Sequence, residues 1–73
     1  MNLITIHING ETREVPEALN LRQLLELLKL PLDRLAVELN RQIIPRGEWE
    51  AMPIRADDNL EVVHFVGGGL GAH

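Results

Sequence analysis

Seventy-three residues carrying eleven acidic and seven basic side chains, a net charge of −4 and no cysteine exclude several kinds of protein at once. A chain this short forms one domain and buries only ~60% of the surface its unfolded form exposes. The missing cysteines remove disulfides, thiolate metal sites and thiol nucleophiles together. The basic residues are scattered singly, without the concentrated positive footprint that nucleic acid requires. No apolar run approaches the ~20 residues of a membrane span, and the N-terminus lacks the layout of a signal peptide. The expectation is a cytoplasmic protein with neither a membrane nor a nucleic acid as partner.

Leu3-Ile4-Thr5-Ile6-His7-Ile8 alternates with period two, placing Ile4, Ile6 and Ile8 on one face of a half-buried strand. Asn9-Gly10 follows, the pair best suited to the positive φ angles of a tight hairpin turn. Glu11 to Val15 then reads as the returning strand, ended by Pro16. Asn20 is a good N-cap, with Gln23 in the capping-box position. Leu21, Leu24, Leu25 and Leu28 make one helical stripe, which Leu27 and Leu30 broaden. Pro31 disfavours helical geometry at Leu30, so the spacing predicts a helix of roughly three turns ending there. Such a helix is too short to persist alone and must lie on a sheet.

Leu35 to Leu39 alternates again, with Leu35, Val37 and Leu39 facing inward, and Asn40-Arg41 turns the chain into a short strand, Gln42-Ile43-Ile44. From Arg46 to Asp58 there is no clear period. Trp49, Met52 and Ile54 are expected to insert into the core, and Asp57-Asp58-Asn59 to form the last turn. A final strand runs from Leu60 to Val66 and leads into Gly67-Gly68-Gly69 and four further residues. Hairpin, helix and further strands predict a two-layer α+β domain over residues 1–66, a mixed sheet of four to five strands with one main helix across one face. Residues 67–73 are expected to form a flexible glycine-rich tail. The elements are compatible with the ubiquitin-like β-grasp arrangement, although periodicity does not single it out.

Catalytic constellations are nearly empty. His7, His64 and His73 have no metal-ligand spacing, and no metal site is expected. Glu48 and Glu50 flank Trp49 as the solvated side of a turn. There is no serine. The chain is therefore expected to have no catalytic residues of its own and to be no enzyme. Of the six glycines, four lie within the last seven residues, and they decide where chemistry could occur. No Lys-Ser/Thr and no helix follows Gly67-Gly68-Gly69, so this is no phosphate loop. Composition leaves two readings open: a plain mobile end, or a thread that enters another protein's active site. Glycine has no Cβ, and an extended run of it passes a narrow channel.

Ala36-Val37-Glu38-Leu39-Asn40-Arg41-Gln42-Ile43-Ile44-Pro45-Arg46 with Glu48-Trp49, and Leu60-Glu61-Val62-Val63-His64-Phe65-Val66-Gly67-Gly68-Gly69, resemble the thiamine-biosynthesis sulfur carriers, the ThiS family. The likeness covers nearly the whole chain. Asp58 departs from it where the family often has glycine, and Leu70-Gly71-Ala72-His73 run past the usual end. The resemblance implies a carrier that is the substrate of an E1-like adenylyltransferase. That partner uses ATP and magnesium, so no cofactor is bound by the carrier itself. The glycine carboxylate becomes an acyl-adenylate, and sulfur from a cysteine desulfurase or rhodanese-type donor displaces AMP. The thiocarboxylate then supplies thiazole synthase. The implied acceptor is Gly69, with Gly68 second, and Gly67, Gly68 and Gly69 thread the partner's channel. Other readings are a small subunit of molybdopterin synthase, with the same fold and chemistry, and a ubiquitin-like tag or binding module.

Three further expectations follow from the residues. On the last strand Glu61 marks the solvent side, so Val63 and Phe65 are apolar residues of an open face and candidate partner contacts. Leu24, Leu28, Val37 and Val62 belong to the core. If Gly69 is the acceptor, Leu70–His73 are either removed by a protease or foreign to the natural chain, because only a terminal residue carries a free α-carboxylate.

Overall fold

The structure, a computed structural model, describes residues 2–65. The expectations placed on Val66, on Gly67, Gly68 and Gly69, and on Leu70–His73 lie outside that range. Strands β1 (Leu3–Ile8) and β2 (Glu11–Pro16) pair antiparallel from Leu3↔Pro16 to Ile8↔Glu11. Asn9 and Gly10 make the turn at φ 50° and 83°, the left-handed geometry that this pair tolerates. Ile6, Ile8 and Val15 are buried, with Ile4 packed against them. Pro16 sits within β2 itself, where an edge strand tolerates a missing N–H.

Helix α1 (Leu21–Leu27) opens with the capping box. Asn20 Oδ1 accepts from the Gln23 amide at 2.7 Å, and Gln23 Oε1 accepts from the Asn20 amide at 2.9 Å. Its stop is earlier than Pro31 suggests. Lys29 takes φ 60°, its amide donates to Glu26 O at 2.9 Å, and the Leu30 amide donates to Leu25 O at 3.2 Å. This is a Schellman closure built on lysine instead of glycine. It turns the chain back, so that Leu30 reaches the core from outside the helix. The helix therefore has seven residues, about two turns. Leu27, expected in the stripe, is 51% exposed, and Leu28 is half-buried; Leu21, Leu24 and Leu25 are buried. Where α1 stops short, an open groove of about 330 Å³ remains beside Leu28, Leu30, Leu35 and Val62. That groove is why Val62 too is only half-buried.

A 3₁₀ turn at Leu32–Arg34 leads into β3 (Leu35–Leu39), and a two-residue turn with Asn40 and Arg41 at φ 51° and 73° joins it to β4 (Gln42–Ile43). The stretch without a period contains a 3₁₀ segment, Arg46–Ala51, that carries Trp49 inward. The buried indole Nε1 donates to Ile44 O at 3.0 Å, and Arg46 lies over its ring at 5.6 Å. Ile54 is buried and Met52 packs on the core, as the residues suggest. The last turn falls at Ala56-Asp57, one position before the anticipated one, with Asp57 at φ 69°. The Asp58 carboxylate brackets that turn, accepting from the Arg55 amide at 2.8 Å and from Asn40 Nδ2 at 3.0 Å. Strand β5 (Asn59–His64) then begins with Asn59, a residue expected in the turn.

The five strands lie in the order β2-β1-β5-β3-β4. β1 and β5 are parallel at the centre, and every other pairing is antiparallel. β2 and β3 consequently run the same way, so the connection through α1 is a crossover, though it passes over two strands instead of reaching a neighbour. Leu21, Leu24 and Leu25 of α1 share one core with Ile6, Ile8, Val37, Leu39 and Leu60 of the sheet. The other sheet face has no layer over it among the described residues.

Candidate functional site: the open sheet face and the end of β5

β5 is held on one side by β3, in register from Leu39↔Leu60 to Leu35↔His64. The Phe65 amide extends this pairing by donating to Arg34 O at 2.8 Å. On the other side β1 supplies only His7↔Asn59 and Ile8↔Leu60 before the chain turns away. Asn9 continues where the strand cannot. Its amide donates to Leu60 O at 2.9 Å, its Oδ1 accepts from the Val62 amide at 2.8 Å, and its Nδ2 donates to Val62 O at 3.2 Å. The side-chain amide thus offers Val62 one donor and one acceptor, as a peptide group would. Sequence reasoning assigned Asn9 to the turn alone; a side chain that reaches a residue 53 positions away leaves no local signal.

Alternation along β5 sends Leu60 and Val62 toward α1 and Glu61 and Val63 to the open face. Val63 is 57% exposed and Phe65 37%, so both candidate contact residues are accessible. Ala36 lies opposite Val63 and Glu38 opposite Glu61 on β3, which puts them on the same face. Ile43 of β4, opposite Glu38, joins them at 74% exposure. The sequence reading passed over Ile43. Its signal was available: a two-residue turn at Asn40-Arg41 pairs position 43 with 38, and Glu38 already points outward.

The remaining candidates are dispersed. His7 stands on the open face, where Nδ1 lies 3.4 Å from Thr12 Oγ1, and His64 is exposed near the groove below α1. Glu48 and Glu50 are exposed on the 3₁₀ segment around Trp49. Among the described residues no three His, Asp or Glu side chains are grouped to hold a metal, and no buried polar side chain lacks a partner. No helix among them is long and apolar enough to cross a membrane. What the arrangement offers chemically is a tethered strand, an apolar face beside it and a glycine segment following it in the chain.

A five-stranded mixed sheet with a central parallel pair and one main helix on one face defines a ubiquitin-like β-grasp domain. The model of the ThiS family matches residues 6–69. The thiamine biosynthesis protein ThiS of Geobacter metallireducens is 32% identical, with a TM-score of 0.80 over 90% of this chain and all of that one. A thiazole synthase of Magnetococcus marinus is 41% identical over 64 residues, which are 88% of this chain and 20% of that protein. The ycf40 protein of Porphyra purpurea is 36% identical over 66 residues, covering 90% of this chain and 93% of its own length. The chain thus spans about a fifth of the thiazole synthase relatives it matches. It belongs to the ThiS family.

Proposed function

We propose that the protein is a sulfur carrier for synthesis of the thiazole moiety of thiamine. The observation that carries this reading is the family match, which runs through the β-grasp domain and ends at Gly69. The likeness to the Geobacter thiamine biosynthesis protein over its full length supports it. Similarity to thiazole synthases supports one of them as the recipient of the sulfur.

In this reading an adenylyltransferase binds ATP and magnesium and presents the α-phosphate to the Gly69 carboxylate. A carboxylate oxygen attacks phosphorus, pyrophosphate leaves, and the acyl-adenylate forms. The terminal sulfur of a persulfide on a desulfurase or rhodanese-type donor then attacks the carbonyl carbon. A C–S bond forms as the C–O bond to AMP breaks, leaving an acyl disulfide to the donor. A thiol of the donor or activating partner attacks the donor-side sulfur of that S–S bond, which releases the thiocarboxylate and leaves a disulfide on the partner side. The carrier contributes no acid or base to these steps; it supplies the glycine end and the surface that docks it. Glycines at 67, 68 and 69 suit a narrow channel because none has a Cβ. Val63 and Phe65 are exposed and precede that segment by a few residues in the chain, which makes them contacts for a protein that takes the glycine end.

ATP–pyrophosphate exchange by the purified adenylyltransferase tests the first step. The chain ending at Gly69 is expected to support exchange and the full 73-residue chain to fail. Exchange supported equally by both would contradict Gly69 as the acceptor.

A further inference from the structure

The open face carries an electrostatic conflict that the fold alone does not explain. Glu38 and Glu61 stand directly opposite each other across β3 and β5, and both are exposed. Like charges in directly opposed positions destabilise a sheet. The ion pairs among the described residues join Arg22 to Glu26 and Glu50 and Arg34 to Asp33, so they bring a cation to neither glutamate.

The surroundings of the pair are apolar. Ile43 flanks Glu38 on β4, and Ala36 with Val63 forms the next row of the same face. These five side chains border a shallow depression of about 130 Å³, open because alanine occupies the row beside Val63. Burial of a plain apolar patch would leave both carboxylates desolvated and uncompensated, at a cost of several kcal/mol for an isolated ion. A solvated face needs neither the exposed Ile43 nor the opposed charges. A cation arriving on an apolar stem satisfies both features together.

We propose that this face receives an arginine of thiazole synthase, its guanidinium between Glu38 and Glu61 and its methylenes against Ile43, Ala36 and Val63. The planar fork of arginine engages two carboxylates at once, and its stem packs on apolar surface. Thiazole synthase is the occupant because relatives of that name contain a segment 41% and 36% identical to this chain. Val63 also carries the patch to the end of β5, and Phe65 and then the glycine residues follow it in the chain. The proposal rests on the carrier reading and adds the charge that the docking surface selects.

The experiment is a calorimetric titration of purified thiazole synthase with wild-type chain and with E38Q/E61Q, at low and high salt, beside thermal melts of both chains. Glutamine keeps the shape and removes both charges. The double variant is expected to melt at or above the wild-type temperature, because the repulsion is gone. It should bind roughly tenfold to a hundredfold more weakly, the span of a charge-assisted contact. Salt should weaken wild-type binding and have a much smaller effect on the variant. Equal affinity and equal salt dependence would overturn the charge slot and leave the carrier reading standing. A fall in melting temperature together with affinity would make the pair a structural feature and overturn the slot as well. A synthase that binds neither chain would overturn the slot and the thiazole branch of the carrier reading together.

Discussion

Replacing Asn9 with glycine separates the two tasks this residue performs. Glycine adopts φ 50° without strain, so the turn survives, while the clamp on Val62 is lost. The clamp consists of two hydrogen bonds, at 2.8 and 3.2 Å. At ~0.5–1.5 kcal/mol each, its removal should cost ~1–3 kcal/mol. A domain of this length has a total stability of roughly 4–11 kcal/mol, taking ~0.05–0.15 kcal/mol per residue, so the variant should remain folded. Native-state amide hydrogen exchange reads the local part of the effect. The Val62 amide loses its acceptor in Asn9→Gly and should exchange much faster, whereas the Ile54 amide, bonded to Leu19 O at 2.9 Å, should slow or speed only with global stability. Asn9→Asp keeps the acceptor and loses the donor, so Val62 should stay protected there. If Val62 exchange in Asn9→Gly changes no more than that of Ile54, the clamp does not secure the end of β5.

Leu24→Ala should destabilise the domain by ~2–5 kcal/mol in urea melts, since its side chain is fully buried in the shared core. Leu28→Ala should lose about half as much, because Leu28 borders the open groove; equal losses would mean that the helix continues past Leu27. Phe65→Asp should leave the melting temperature near that of the wild type and weaken binding to the adenylyltransferase and to thiazole synthase. Calorimetry checks this, and an unfolded variant would show that Phe65 faces the core.

The hairpin, β3 with its return, and the capping box were legible because each is written in a few adjacent residues: Asn9-Gly10, Asn40-Arg41 and Asn20 with Gln23. The end of α1 was not, because Lys29 adopts a left-handed conformation usually left to glycine, and the leucine stripe continues to Leu30 regardless. The stretch from Arg46 to Ala51 gave no period since a 3₁₀ segment with one buried tryptophan has no apolar repeat to show. At the candidate site, the outward direction of Val63 followed from Glu61 and simple alternation. The opposition of Glu38 and Glu61 depends on the β3–β5 register, which joins segments some twenty residues apart and is settled by packing in three dimensions. Asn9 and Val62 illustrate the same limit at longer range.

Carriage of sulfur on the carboxylate of Gly69 is tested by intact-mass spectrometry of the chain ending at Gly69, after incubation with ATP, magnesium, the adenylyltransferase and a sulfur donor. Replacement of one oxygen by sulfur, located in the C-terminal fragment and lost again on incubation with thiazole synthase and its other substrates, is the predicted result. A chain that emerges with unchanged mass, or that is recovered joined to lysine side chains instead, would contradict it.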